Sequence, residues 1–238
     1  MSGSPDRTEH RFIAIWTALT LALLFAGFAP TFYLRPFATV GPERALTTMV
    51  AVHGALFTGW LALFAMQVWL AATGRIAHHQ RLGRIAPVAI PVLVATAIPV
   101  AIANAARGDD NPVIPADVFL LLPLCEALFF GVLAFWAWHQ RKSPHTHKRL
   151  MMFAIAVILG TGTGRLIGGL VGTFLVPLPF ILSVWVFDWW RNRRIESKVL
   201  AGGLLAIGSY AIPLAFGFTS GWRIIAGRLI DGWALLGA

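Results

Sequence analysis

LTTMVAVHGALFTGWLALFAMQVWLAAT, residues 46–73, holds no aspartate, glutamate, lysine or arginine. A run of ~20 apolar residues crosses the hydrocarbon core of a bilayer as a helix, because a helix satisfies its own backbone where no water can. The stretch therefore predicts a transmembrane helix. Working outward, further apolar runs lie at about 12–34, 86–106, 115–138, 149–170, 173–190 and 199–217. The chain reads as all-α: a polytopic transmembrane bundle of about seven spans, forming one transmembrane domain over residues 1–238. Gly168, Gly169 and Gly172 mark the divide between the fifth and sixth spans, where a single long bent helix is the competing reading. The first run is longer than a signal-peptide core and has no A-x-A site, so a retained helix is expected. Beyond the seventh, residues 221–236 place Trp222, Ile225, Leu229 and Trp233 near one helical face, which predicts an interfacial amphipathic helix.

Composition supports this and excludes much else. Of 238 residues 58% are hydrophobic and 12% charged, against roughly a quarter charged in soluble domains. The net charge of +9 sits in short clusters between the apolar runs, as the positive-inside rule requires, so no nucleic-acid partner is expected. Arg75, Arg81 and Arg84 occupy the loop at 74–85. Arg141, Lys142, Lys148 and Arg149 occupy 139–149, and Arg191, Arg193, Arg194 and Lys198 occupy 190–198. The opposite loops are poorer, with Arg107 against Asp109 and Asp110 and no charge at 168–173. The expected topology is N-terminus in, C-terminus out. Cys125 is the only cysteine, which leaves no intrachain disulfide and no cysteine zinc site. Walker, GxGxxG, GxSxG and HExxH patterns are all missing from the chain. Trp69, Trp136, Trp138, Trp185, Trp189 and Trp190 fall near span ends, as interfacial anchors do.

Ionisable side chains inside a bilayer are costly, so each needs a partner, a wet cavity or a function. His53, Glu126, Arg165 and, more cheaply, Tyr210 qualify. At 1.5 Å per residue they lie ~10, ~13, ~8 and ~10 Å from the outer ends of their spans. That common depth predicts one polar cluster in the outer half of the bilayer. Glu126 and Arg165 are then either a structural ion pair or, with His53, a site exchanging protons or binding a ligand. His53, Trp60 and Gln67 recur every seven residues and drift only ~20° per step, so they share one face of the second span. That face is either a packing seam or an elongated ligand groove.

Haem b held between imidazoles is the cofactor to weigh. His53 alone is deep, and neither Met49 nor His10, His78, His79, His139, His145 or His147 is evidently placed beside it. At the other end a metal site from His79, His147 and Asp188 is an alternative to solvated loop histidines. His79-Gln80-Arg81-Leu82 and His147-Lys148-Arg149-Leu150 open the third and fifth spans, suggesting that spans two and three repeat spans four and five.

The motifs FAPTFYLRP (28–36), HGALFTGWLALFAMQ (53–67), HHQRLGR (78–84), HKRLMM (147–152) and DWWRNRRIES (188–197) together resemble a family of small, about seven-helix, multi-pass bacterial inner-membrane proteins without an assigned activity. The resemblance spans nearly the whole chain and implies the fold and a bacterial inner membrane. Its shared positions match His53, Trp60 and Gln67, and His79 and His147. Where that family carries a histidine after the sixth span, this chain has Glu196-Ser197, which weakens any metal site drawing on that loop. Three function classes follow. One is binding of a small amphipathic ligand, a quinone or lipid, or of protons, at residues drawn from His53, Trp60, Gln67, Glu126, Arg165 and Tyr210. The second is a redox protein with haem or a histidine-bound metal, and the third a structural subunit joined to other membrane proteins. Membrane lipids are expected partners in all three.

Overall fold

The computed structural model describes residues 7–37, 46–108 and 114–235. Asp109, Asp110 and Ala238, which entered the topology reading, lie outside the described residues. Within them every regular element is helical. The principal helices are α1 (Arg7–Phe28), α2 (Thr48–Ala72), α3 (Ile76–Gly83), α4 (Ala86–Ala106), α5 (Ala116–Phe119) and α6 (Leu121–His139). They continue with α7 (Pro144–Val157), α8 (Leu159–Ile167), α9 (Pro177–Asn192), α10 (Ser197–Phe216) and α11 (Ser220–Leu235). Short π-helical turns at Ala29–Tyr33 and Val171–Leu175 extend α1 and precede α9.

Seven helical stretches are long and apolar enough to cross a membrane, and the chain is a multi-pass membrane protein. Their outward sides carry exposed Ile15, Val88, Val132, Val186 and Leu204, a surface suited to lipid tails rather than water. Prolines lie within them, Pro91 and Pro99 in α4 and Pro213 in α10, as is common in membrane helices.

The fifth span is the hub. Met152 to Val157 are each at most 1% exposed, and a helix apolar on every side belongs in the middle of a bundle. The helix α7 packs against α6, α10, α9 and α1. Fifth and sixth spans are separate, because Gly168 and Gly169 adopt φ of 82° and 59°, left-handed values that side chains with a Cβ resist. Close approach of α1 to α8 also depends on glycine: a side chain on Gly27 would collide with the backbone of Gly162.

The last helix, α11, packs on α4 and α5. Its seated residues are Trp222, Ala226, Leu229 and Ile230, whereas Ile225, expected on that face, is exposed. The turn from Trp222 to Ala226 to Ile230 follows the i, i+4, i+8 ridge, which brings the small Ala226 against the bundle. Trp222 Nε1 donates to the Asp117 carbonyl at 2.7 Å, and Arg223 Nε lies 2.6 Å from Asp117 Oδ2.

Candidate functional site

The seven-residue stripe on α2 faces its neighbours, each member differently. His53 Nδ1 lies 3.1 Å from Thr96 Oγ1 on α4. One hydrogen bond there has its direction set by the imidazole tautomer. Trp60 is 5% exposed and stands edge-on to Phe130 of α6, with ring centroids 5.7 Å apart. Its indole N–H is buried without an acceptor among the described residues. Gln67 Nε2 donates to the His79 carbonyl at 3.1 Å, while His79 Nδ1 reaches back to the Gln67 carbonyl at 3.3 Å.

Beside Trp60 the two helices do not close. Leu56, Gly59 and Trp60 of α2 and Ala89, Val92 and Leu93 of α4 line a groove of about 450 Å³, a volume within the range that holds small organic ligands. Small residues create the hollow, since a Cβ on Gly59 would meet nothing within 4 Å. His53 sits ~10 Å along α2 from Trp60 on the same stripe, beyond Ala55 and Leu56 of the groove lining.

Glu126 and Tyr210 form a second, buried group, whereas Arg165, expected to face the interior with them, is exposed. Glu126 is 4% exposed; its Oε2 accepts a bond from the Thr161 hydroxyl, and its Oε1 has no hydrogen-bond partner. Arg165 donates from NH1 to the Thr161 carbonyl at 2.7 Å and lies over the Phe28 ring at 4.7 Å. The direct Glu126–Arg165 ion pair expected from their depth is therefore replaced by Thr161, one turn before Arg165, which touches both. Tyr210 has a backbone role. Its hydroxyl accepts from the Gly160 N–H at 3.1 Å and lies 2.8 and 2.6 Å from the carbonyls of Ala156 and Val157. Ala156 is the carbonyl a regular helix would give Gly160, so the hydroxyl stands in the hydrogen-bond ladder where α7 gives way to α8. Sequence depth thus grouped four residues that the fold separates into His53 by the groove and a knot of Glu126, Thr161 and Tyr210 with Arg165 on its exposed side.

The most buried charges lie at the opposite, Lys/Arg-rich end. Arg149 and Asp188 are 1% and 0% exposed. Arg149 donates from Nε and NH2 to Asp188 Oδ1 at 2.9 and 2.7 Å, and its NH2 also lies 3.0 Å from Glu9 Oε1. Lys148 Nζ donates to Glu9 Oε2 at 2.7 Å. His145 stands 3.2 Å from both Asp188 Oδ2 and Glu196 Oε2, and Thr146 donates to Glu196. Arg149, read from sequence as a loop cation, is thus part of the core. Asp188, an acid just inside the end of its apolar run, and Glu9, three residues before the first run, were the available signal.

This network also corrects the metal alternative. His79 and His147 rings do meet, with centroids 6.1 Å apart at 86°, within the common level that the repeat requires. Asp188 is elsewhere: Arg149 follows His147 by two residues, ~200° around α7, so an acid paired to Arg149 faces away from His147. Among the described residues no group of three or more His, Cys, Asp or Glu side chains is placed to hold a metal ion. Nor does His53 have a second histidine beside it for haem; its ring neighbour is Phe57.

Comparison with protein-family models, curated proteins and solved structures finds no match. Function must be argued from the geometry. What that geometry offers chemically is an apolar slot with the Trp60 side chain on its wall and an imidazole further along the same stripe of α2.

Proposed function

We propose that this chain is a bacterial inner-membrane protein, folded as one transmembrane domain with its Lys/Arg-rich loops cytoplasmic, that binds a small amphipathic ligand between α2 and α4. The tail, isoprenoid as in a quinone or acyl as in a lipid, lies along Leu56, Gly59 and Leu63. A carbonyl-bearing head group is received at the His53 end. The observation carrying this reading is the 450 Å³ apolar groove lined by Trp60, whose indole N–H is buried without an acceptor among the described residues. A buried donor without an acceptor costs about 1–3 kcal/mol, and a ligand carbonyl relieves that cost when the indole turns toward it. His53 supplies a second contact, since only Nδ1 of its ring has a partner among the described residues. Glu126 and Tyr210 do not line the groove, and in this reading they hold the fifth span in shape.

Gly59→Leu tests it. The new side chain grows into the groove without meeting protein, and replacing glycine in a helix is favourable by up to ~1 kcal/mol. The protein purified in mild detergent should release quinone or lipid on solvent extraction, and Gly59→Leu should release several-fold less at unchanged thermal stability. Equal ligand content in the two proteins refutes the groove as the site.

A further inference from the structure

Two histidines at the basic end take no part in the groove or the ion network. His79 and His147 lie on helical hairpins built to one plan. In each, a tryptophan at the end of the leading span is covered by an arginine from the following turn, Arg75 at 4.6 Å from the Trp69 ring and Arg141 at 4.2 Å from that of Trp138. In each, the histidine turns Nδ1 back to a carbonyl in the last turns of that span, His79 to Gln67 at 3.3 Å and His147 to Ala137 at 2.8 Å. A carbonyl only accepts, so both Nδ1 atoms carry the proton and both Nε2 atoms are bare lone pairs. Neither Nε2 finds a donor among the described residues, and the ring centroids are 6.1 Å apart.

We propose that His79 and His147 together hold a copper ion between them through their Nε2 atoms, at a site shared by the two hairpins. The spacing fits. For two imidazoles on opposite sides of the ion, a metal–nitrogen bond of ~2.0–2.1 Å plus ~1 Å from nitrogen to ring centre, taken twice, gives a little over ~6 Å between centroids, as in a tetragonal Cu²⁺ site; a tetrahedral angle would bring them to ~5 Å. The Nδ1-to-carbonyl bonds are the outer contacts that metal-binding histidines nearly always make, because they fix the tautomer and aim the lone pair. Both rings are half-buried, so the ion has protein on one side and a route from the cytoplasmic end on the other. With two protein ligands the remaining coordination positions belong to water or to a small exogenous donor. Among divalent ions at imidazole sites, Cu²⁺ binds tightest.

The test uses the full chain without a histidine tag, equilibrated with Cu²⁺, then desalted. One ion per chain is expected, and the Cu²⁺ electron paramagnetic resonance spectrum should show two equivalent nitrogen ligands. His79→Gln and His147→Gln should each weaken binding at least tenfold. His78→Gln, next door and exposed, should leave it unchanged. The spectrum of the unaltered chain decides even if a variant fails to fold: binding below one ion per chain, or a signal lacking the nitrogen pair, overturns the site. So does tight binding retained by a folded His79→Gln/His147→Gln double variant.

Discussion

Arg149 and Asp188 show most clearly what a single residue costs here. Each is shut away from water and from lipid, and each is neutralised chiefly by the other at 2.7 Å. Removing one partner strands the other, which typically costs about 3–5 kcal/mol for a buried pair. Asp188→Asn and Arg149→Met should each lower the thermal midpoint sharply. The double variant Arg149→Met/Asp188→Leu should recover much of the loss, because neither member of the pair is left stranded and Glu9 keeps Lys148 as its partner. If the double variant is as unstable as the sum of the singles, the pair is not the closed unit its geometry describes. Sequence alone assigned Arg149 to the basic loops because the positive-inside rule already accounted for it. The information missing from the sequence was rotational: which side of α7 meets α9.

At the scale of elements, the break between α8 and the π-helical turn before α9 is set by Gly168 and Gly169. Neither has crowding that excludes a Cβ, so their positive φ values alone require glycine. Gly168→Ala should therefore cost about 1–2 kcal/mol, read as a fall in melting temperature, while Gly221→Ala, open and helical, should cost nothing. Equal effects would mean that the turn does not depend on left-handed backbone. This element was legible in the sequence as a glycine cluster within an apolar run. The break between α7 and α8 was not, because no proline marks it and the wedge is a tyrosine hydroxyl from α10. The stripe on α2 was likewise legible as a face through its seven-residue period, but the hollow beside it depends on Gly59 of α2 standing opposite Ala89 of α4, a pairing between helices that no period announces.

For the whole molecule, apolar runs of span length made the seven crossings readable, since each depends on local composition. Pairing between spans was not readable, because shared depth says nothing about which helices are neighbours. Orientation remains the natural test at this scale. Arg149 is too buried to report it, so exposed Arg81 and Arg141 take its place. With native Cys125 buried, Arg81→Cys and Arg141→Cys should resist an impermeant thiol reagent in intact cells, and Gly221→Cys should react. The reverse pattern would invert the topology.

The contact of Glu9 with Lys148 and Arg149 also orders events in time. Translation delivers α1 first, and its acid waits until the fifth span emerges some 139 residues later; Asp188 follows only with the sixth. A chain released after residue 170 would hold Arg149 with half its counter-charge and a bare flank on its central helix, the kind of defect that membrane proteases recognise. In a pulse-chase, chains ending at residue 170 should be degraded faster than chains ending at 196, after the sixth span has brought Asp188. Equal half-lives would mean that the first helix finds its place without waiting for its partners, and that this end of the bundle closes early rather than late.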